Sequence, residues 1–390
     1  MLHKKKARRW PKILLAVIAV IVLIGGGFAA YAYYQTKQTA DKIYKSSNDS
    51  DANATAAVKE KKPLSILLLG IDTGADGRTD KGRSDTMIVA TINPTTKKTT
   101  FVSIPRDTMA EMTASGETSI QKINSAYEIG GAKTAKKTVS KLLNIPINYY
   151  LTLNMGGLAK IVNAVGGVTV TSNLTFTFNN ITIKKGTHHL NGKQALSFAR
   201  MRYDDPKGDY GRQLRQQQVI KAVTKKLLSM NGVANYQKIL KVVQNNLQTD
   251  LSFSDMKGLA VNYRSAAKKM DSDQLQGQDA YINGSSYQIA STKEINRISK
   301  KLRKQLGLTF TKVSNKETKL NKANPYFDGI NNTTYTIYGS DSTVDYGTGT
   351  YSDGSSYSSG SDSSTTSNGT TDTTGTQNFG GPSGQMGATY

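Results

Sequence analysis

The sequence predicts an α/β fold, a layered central β-sheet with helices on both faces, preceded by one transmembrane helix. Three observations predict it. Three apolar, β-rich runs lie close together, Leu64–Ile71, Met87–Asn93 and Thr99–Ile104, and read as buried strands of one sheet. Beyond them, helical and strand-like segments alternate, as layers of helix and sheet require. The run from Ile13 to Ala30 holds only apolar residues and glycine, extends through tyrosines to Tyr34, and is long enough to cross the ~30 Å hydrocarbon core as a helix.

Each element follows from its own signals. Residues 1–12 carry Lys4, Lys5, Lys6, Arg8, Arg9 and Lys12, which should hold the N-terminus inside and send everything after the membrane helix (13–34) outside. Trp10 and Tyr31, Tyr33 and Tyr34 sit where interfacial aromatics belong. A cleaved signal peptide is the alternative, since Ala30-Tyr31-Ala32 mimics a small-x-small cleavage site, but its apolar region would be unusually long. Residues 35–62 are polar, without an apolar period, and read as a stalk. The globular domain is assigned to 63–310. After the third strand the pattern predicts a helix at Ala132–Leu143, a strand at Tyr149–Leu153, a helix at Leu158–Val165 stopped by Gly166-Gly167, and a strand at Val168–Val170. Helices at Gln194–Arg200 and Gln213–Ser229 flank a polar loop, and more helix is expected over Val233–Leu247 and Asp255–Ala267. From about Asn331 the composition turns to Ser, Thr, Gly, Asp and Tyr. No Lys or Arg follows Lys322, and a C-terminal tail, set at 311–390, is expected to be disordered.

At 390 residues the chain can bury a full core without a staple. It has no cysteine and three histidines, which removes disulfides, thiolate zinc and cysteine nucleophiles and leaves little for a histidine metal site. Its net charge of +23 would ordinarily point to nucleic acid. Export of the domain argues against that partner.

Three clusters can carry chemistry. The first is Leu-Leu-Leu-Gly-Ile-Asp72, followed by a glycine-rich loop and Gly82-Arg83-Ser84-Asp85-Thr86. Arg83 stands at the twelfth position from Asp72, where a calcium loop needs Glu, and no Gly-Lys-Ser/Thr makes the loop a P-loop. The second, Ser103-Ile104-Pro105-Arg106-Asp107-Thr108, closes the third strand, so Asp72 and Arg106 can share the crevice at the strand ends. The third runs from Ala199 to Gln217 and contains Arg200, Arg202, Asp209, Arg212 and Gln216, the last two four residues apart on one helix face. Arginine suits phosphate because its fork donates two parallel hydrogen bonds and keeps its charge. Five converging guanidiniums make sense around a polyanion, and a diphosphate with Mg²⁺ held by two carboxylates fits. Taken singly, each has a plainer reading: Arg-x-Arg as a solvated face, Asp72 and Asp85 as caps or turns, Asp204-Asp205-Pro206 as a turn, and His188-His189 as loop.

The ordered strings Leu-Leu-Leu-Gly-Ile-Asp72, Arg83-Ser-Asp85-Thr-Met, Ser-Ile-Pro-Arg106-Asp107, Lys122-Ile-Asn124, Val165-Gly-Gly-Val168, Leu190-Asn-Gly-Lys-Gln-Ala-Leu196, Ala199-Arg200-x-Arg202 and Gly208-Asp-x-Gly-Arg212-x-x-Arg-Gln216 resemble the catalytic domain of the LytR-CpsA-Psr family. The resemblance implies a cell-membrane phosphotransferase with its domain outside. Its donor would be an undecaprenyl-diphosphate-linked glycopolymer, such as teichoic acid or capsular polysaccharide, and its acceptor a peptidoglycan hydroxyl. It also implies that Asp72 and Asp85 hold Mg²⁺, that Arg83, Arg106, Arg200, Arg202 and Arg212 bind the diphosphate, and that Gln216 adds a donor. Asp107 and Asp209 both stand as candidates to take the acceptor's proton. An apolar pocket for the prenyl chain is expected between sheet and helices. A lipid-diphosphate phosphatase, a DNA-binding attenuator and a wall-binding module remain as alternatives.

Overall fold

The computed structural model describes residues 31–47, 51–72, 82–229, 233–329 and 335–337. Helices α1 (31–43) and α2 (Asp51–Lys59) lead into the antiparallel meander β1 (Leu64–Ile71), β2 (Ser84–Asn93) and β3 (Lys98–Ile104). The hairpin of β4 (Met109–Ala114) and β5 (Glu117–Lys122) precedes α3 (Ser125–Leu143), β6 (Tyr149–Asn154) and α4 (Met155–Ala164). Next come β7 (Val168–Ser172), β8 (Phe176–Phe178), β9 (Ile181–Ile183) and β10 (Gly186–Leu190), pairing β7 with β10 and β8 with β9. The chain continues through α5 (Gly192–Arg200), α6 (Gly208–Ser229), α7 (Val233–Val243), β11 (Leu247–Thr249), α8 (Phe253–Asn262) and β12 (Lys269–Gln274). It ends in the hairpin of β13 (Gln278–Ile282) and β14 (Ser285–Ile289), then α9 (Thr292–Gln305) and α10 (Lys316–Ala323).

The six-stranded mixed sheet has the order β11-β6-β1-β2-β3-β12. Strand β1 pairs parallel with β6 and antiparallel with β2, and β12 runs parallel to β3. The carboxyl ends of β1, β3, β6 and β12 therefore share one edge with the amino end of β2. Because side chains alternate along a strand, β1 feeds both faces. Leu67, Leu69 and Ile71 join residues of α3 and α9 in one core, while Leu64 and Ile66 join Ala54 and Val58 of α2 with Leu251 and Tyr263 on the other. Helices α4, α5 and α6 pack a further cluster around Val162, Phe198 and Val219. The predicted α/β fold with a central sheet and helices is present.

Several local expectations need correction. The helix expected from Ala132 begins at Ser125 and kinks at Gly130-Gly131; Gly131 takes φ 68°, a left-handed value that favours glycine. The helix expected through Leu247 stops at Val243, because Leu247–Thr249 adds an edge strand to β6. Tertiary pairing here overrides local propensity. The helix expected over Asp255–Ala267 gives way at Asn262 to a 3₁₀ turn, Arg264–Lys268. His188 and His189 stand in β10 rather than a loop, with His189 Nε2 3.0 Å from the Gly166 carbonyl. The segment read as a stalk is helical in α1 and α2, and it buries Ala40, Ile43, Ala54 and Val58. Small side chains let these helices pack closely without an obvious apolar stripe. The fold also runs past residue 310, since Leu320 of α10, Tyr335 and Ile337 pack with Met109, Ile282 and Ile289.

Among the described residues no helix is long and apolar enough to cross a membrane. The predicted span at 13–34 lies outside the described residues except for 31–34, which begin α1. The glycine-rich loop 73–81 and the chain beyond 337 also lie outside them.

Candidate functional site

The shared edge of the sheet gathers the chemistry. Asp72 follows the last residue of β1. Gly70 pairs with Thr86 and Ile71 with Ser84, which leaves Asp85 unopposed as the extra residue of a bulge. Such bulges re-aim a side chain at the end of a strand. Asp85 Oδ1 accepts a hydrogen bond from Arg106 Nη1 at 2.8 Å. Arg106 and Asp107 lie just beyond β3, their carboxylate and guanidinium 3.6 Å apart, and Lys122 approaches Asp107 to 3.7 Å. Arg83 Nε donates to Glu128 of α3 at 2.9 Å.

Helices α5 and α6 deliver the remaining groups. Arg200 is exposed at the end of α5, Arg202 is half-buried on the loop that follows, and Asp209 opens α6. Arg212 Nη2 lies 2.6 Å from Asp209 Oδ1, while Gln213 Nε2 donates to Asp209 Oδ2 at 2.8 Å. Arg212 Nε is buried without a hydrogen-bond partner among the described residues. An orphaned charged donor is uncommon and asks for an acceptor.

The field within the cluster makes the same demand. Burial, the largest influence, pushes Arg212 below its ordinary value; Asp209 opposes this, and Arg106 and Arg202 add to it. Burial also works against Arg106, but the hydrogen bond and charge of Asp85, with Asp107 and Asp209, outweigh it and hold that guanidinium above its ordinary value. Arg106 is thus compensated by carboxylates, whereas Arg212 is short of negative charge. Arg106 and Arg202 each lie within electrostatic reach of Arg212, together with Asp85 and Asp209. Arg83 and Asp107 both act on Tyr287, which places Arg83 near the same edge.

Beside this cluster an apolar cavity of about 230 Å³ opens between the sheet and helices α4, α5 and α6. Leu68, Leu151, Leu158, Leu196, Ile220 and Leu227 supply its walls, and Arg200 and Gln216 join Thr86, Asn154 and Thr224 as its polar lining. Along the chain Arg200 lies two residues from Arg202 and Gln216 one helical turn from Arg212. Asp72 and Asp85, the residues expected to hold a divalent cation, stand on adjoining strand ends. No group of three His, Asp or Glu able to hold a metal occurs among the described residues. Two carboxylates suit Mg²⁺ whose other ligands are phosphate oxygens and water.

Other residues the sequence left without a role hold this arrangement. Arg215 is buried against Asp205 and donates through Nε to the Phe198 carbonyl at 3.1 Å and through Nη2 to that of Met201. A Cβ on Gly211 would fall 2.0 Å from Asp205 Oδ2, so any other residue there would push the Asp205 carboxylate out of its place beside Arg215. The spacing of Gly211 and Arg215, one helical turn, is the signal that could have found the pair. Asn124 bridges the edge through its backbone, taking Ser84 N–H at 3.4 Å and donating to the Arg106 carbonyl at 3.2 Å. Gln217 ties α6 to the Ser103 hydroxyl at 2.7 Å and the Asp273 carbonyl at 2.8 Å.

Fold and site together define a class: an α/β protein with clustered arginines and carboxylates at the carboxyl edge of a mixed sheet and an apolar cavity next to it. The LytR_cpsA_psr family model matches residues 30–304. Polyisoprenyl-teichoic acid–peptidoglycan teichoic acid transferase TagU of Enterococcus faecalis is 47% identical over 301 residues, 77% of this chain and 98% of the relative. Protein gbs0355 from Streptococcus agalactiae superposes with a TM-score of 0.62 at 40% identity, over 68% of this chain and 94% of that one. TagT bound to LIIa-WTA gives a TM-score of 0.54 at 29% identity, over 64% and 92%. The chain belongs to the LytR_cpsA_psr family.

Proposed function

We propose that the chain is a membrane-anchored phosphotransferase of the cell envelope. It attaches an undecaprenyl-diphosphate-linked anionic glycopolymer, a teichoic acid or related wall polysaccharide, to peptidoglycan through a phosphodiester bond. One observation carries this reading: Arg200 and Gln216 line the apolar cavity, and along the chain they neighbour Arg202 and Arg212, the latter within electrostatic reach of both Arg106 and Arg202. A prenyl chain and a diphosphate need those two environments side by side. The family relatives named as teichoic acid transferases support the same substrate class.

In the reaction an acceptor hydroxyl oxygen attacks the phosphorus that bears the glycan. The bond from that phosphorus to the bridging oxygen breaks, and the lipid phosphate leaves. Positioning and charge stabilisation do most of the work in such transfers. Arg106, Arg202 and Arg212 orient the phosphates and stabilise charge growing on the bridging oxygen, with Arg83 and Gln216 as further donors. Asp72 and Asp85 would hold Mg²⁺ on the diphosphate, where it supplies further neutralisation. Asp209 is held by Arg212 and Gln213, so it positions Arg212. Asp107 is held loosely, 3.6 Å from Arg106 and 3.7 Å from Lys122, and is the group free to take the acceptor's proton. Residues 13–34, as a membrane helix, keep the domain outside the cell and beside a donor that never leaves the bilayer.

The test is the full chain in detergent with labelled donor, peptidoglycan oligomers and Mg²⁺. The expected result is a covalent phosphodiester product that disappears when magnesium is chelated. Release of polymer without a covalent product would make the chain a lipid-diphosphate phosphatase, and undiminished transfer in chelator would remove the cation.

A further inference from the structure

The segment joining α5 to α6 follows the order of the substrate proposed above. Leu196, Ala199 and the charged Arg200 all line the apolar cavity. Arg202 follows, close enough to Arg212 to disfavour its charge. Tyr203 comes next. Its side chain is 85% exposed, and the Arg202 guanidinium lies over one face of the ring, 5.5 Å from the centroid. Its hydroxyl has no hydrogen-bond partner among the described residues.

A single exposed tyrosine is ordinary on a protein surface. This one differs in what lies beneath it. Arg215 grips the carbonyls of Phe198 and Met201, just before Tyr203, and pairs with Asp205, just after it. Asp205 Oδ1 takes the Lys207 N–H at 2.8 Å, the Asp205 carbonyl takes the Gly208 N–H at 2.8 Å, and the Asp205 N–H donates to the Arg202 carbonyl at 3.2 Å. A short loop fixed by a buried ion pair thus presents one large ring to water, next to a phosphate-binding arginine.

We propose that Tyr203 is the platform on which a pyranose ring of the substrate stacks, namely the sugar joined to the diphosphate of the lipid-linked donor. The inference rests on the donor class proposed above. The apolar C–H face of a pyranose matches the face of an aromatic ring. A tyrosine offers that face with few rotatable bonds to order, and Arg202 over the opposite face steadies it. Lipid, diphosphate and first sugar would then meet Leu196 and Ala199, Arg200 and Arg202, and Tyr203 in turn.

The experiment uses the full chain in detergent and two synthetic lipids, a prenyl diphosphate bearing a disaccharide and the same prenyl diphosphate without sugar. Tyr203→Ala should bind the sugar-bearing lipid about tenfold more weakly, the scale of one aromatic stacking contact, and the sugar-free lipid as well as the native chain does. The KM for donor should rise with little change in kcat, and Tyr203→Phe and Tyr203→Trp should retain binding. Equal loss for both lipids would reduce the ring to a support for Arg202, and no loss for either would end the proposal. A change confined to the KM for peptidoglycan oligomers would overturn the donor assignment. Because binding is read without turnover, a native chain that binds the glycosylated lipid but forms no phosphodiester would sink the transferase reading and leave the platform to be judged on its own.

Discussion

Under the proposed function, Arg212 is placed for a ligand at the expense of the empty fold. Its guanidinium is mostly buried, its Nε lacks a partner, and Arg106 and Arg202 add to the effect of burial in lowering its pKa. A charge whose protonated form the fold disfavours adds less stability to the free protein than a compensated one. Arg212→Ala should therefore leave the thermal midpoint close to that of the native chain. Its kcat/KM for donor should nevertheless fall about 100-fold or more, the usual effect of removing one charge-stabilising donor. Arg212→Lys should recover little, since an ammonium lacks the fork that spans two phosphate oxygens. Assaying both variants beside a melting curve decides the matter. A midpoint several degrees lower would mean that Arg212 holds the fold and serves the ligand second.

Elements, not single residues, bring these groups together, and α6 does most of it. On one side it presents Arg212 and Gln216, and one turn away Arg215 reaches back to the end of α5 and the loop after it. Burial works to raise Asp205, but the hydrogen bonds from Arg215 and the Lys207 N–H outweigh it and hold the carboxyl below its ordinary value. Arg215→Ala would strand a 7% exposed carboxylate and two carbonyls, a loss on the order of 3 to 5 kcal/mol. Denaturant unfolding should show that loss, and lipid-diphosphate binding should weaken with it because Arg202 rides on the same loop. Stability within about 1 kcal/mol of native would rule out the clamp, since that is the scale of an exposed pair. This is also where reading the sequence stops short. Leu64–Ile71 was legible to the residue, because an apolar run bounded by Pro63 and Asp72 has one reading. Arg215 was not, for a clamping guanidinium and a phosphate-binding one are the same letter until the chain folds. Strand β12, Lys-Met-Asp-Ser-Asp-Gln, carries no apolar pattern because it is an edge whose carboxylates pair outward, Asp271 with Lys98 and Asp273 with Arg297. The site residues at strand ends were readable as clusters, but the bulge that turns Asp85 toward Arg106 depends on a pairing no local signal encodes.

At the scale of the whole molecule, two carboxylates far from the site set opposite slopes in pH. Glu317 of α10 is buried and accepts the Glu111 N–H; burial, the largest influence, raises its pKa, so its contribution is fullest in acid and fades as pH climbs. Asp273 of β12 runs the other way. Burial works to raise it, but Arg297 and Lys301 donate to it and hold its pKa down to about 2. Arg297 engages both oxygens, at 2.9 and 3.0 Å, and this pairing fastens α9 to the edge of the sheet. A carboxyl whose folded value lies below its ordinary 3.8 adds stability above that value and loses it as pH falls toward 2. The shift corresponds to about 2 kcal/mol, with the sign that makes acid destabilising. Urea unfolding from pH 6 to pH 2 should show the native chain losing stability below about pH 4, within the range where an ordinary Asp titrates. Asp273→Asn should start less stable at pH 6 and flatten that part of the curve, and Glu317→Gln should leave it in place. If the Asp273→Asn curve instead fell in parallel with the native one, acid sensitivity would have to come from other carboxylates, and the seam between α9 and β12 would not be what acid opens.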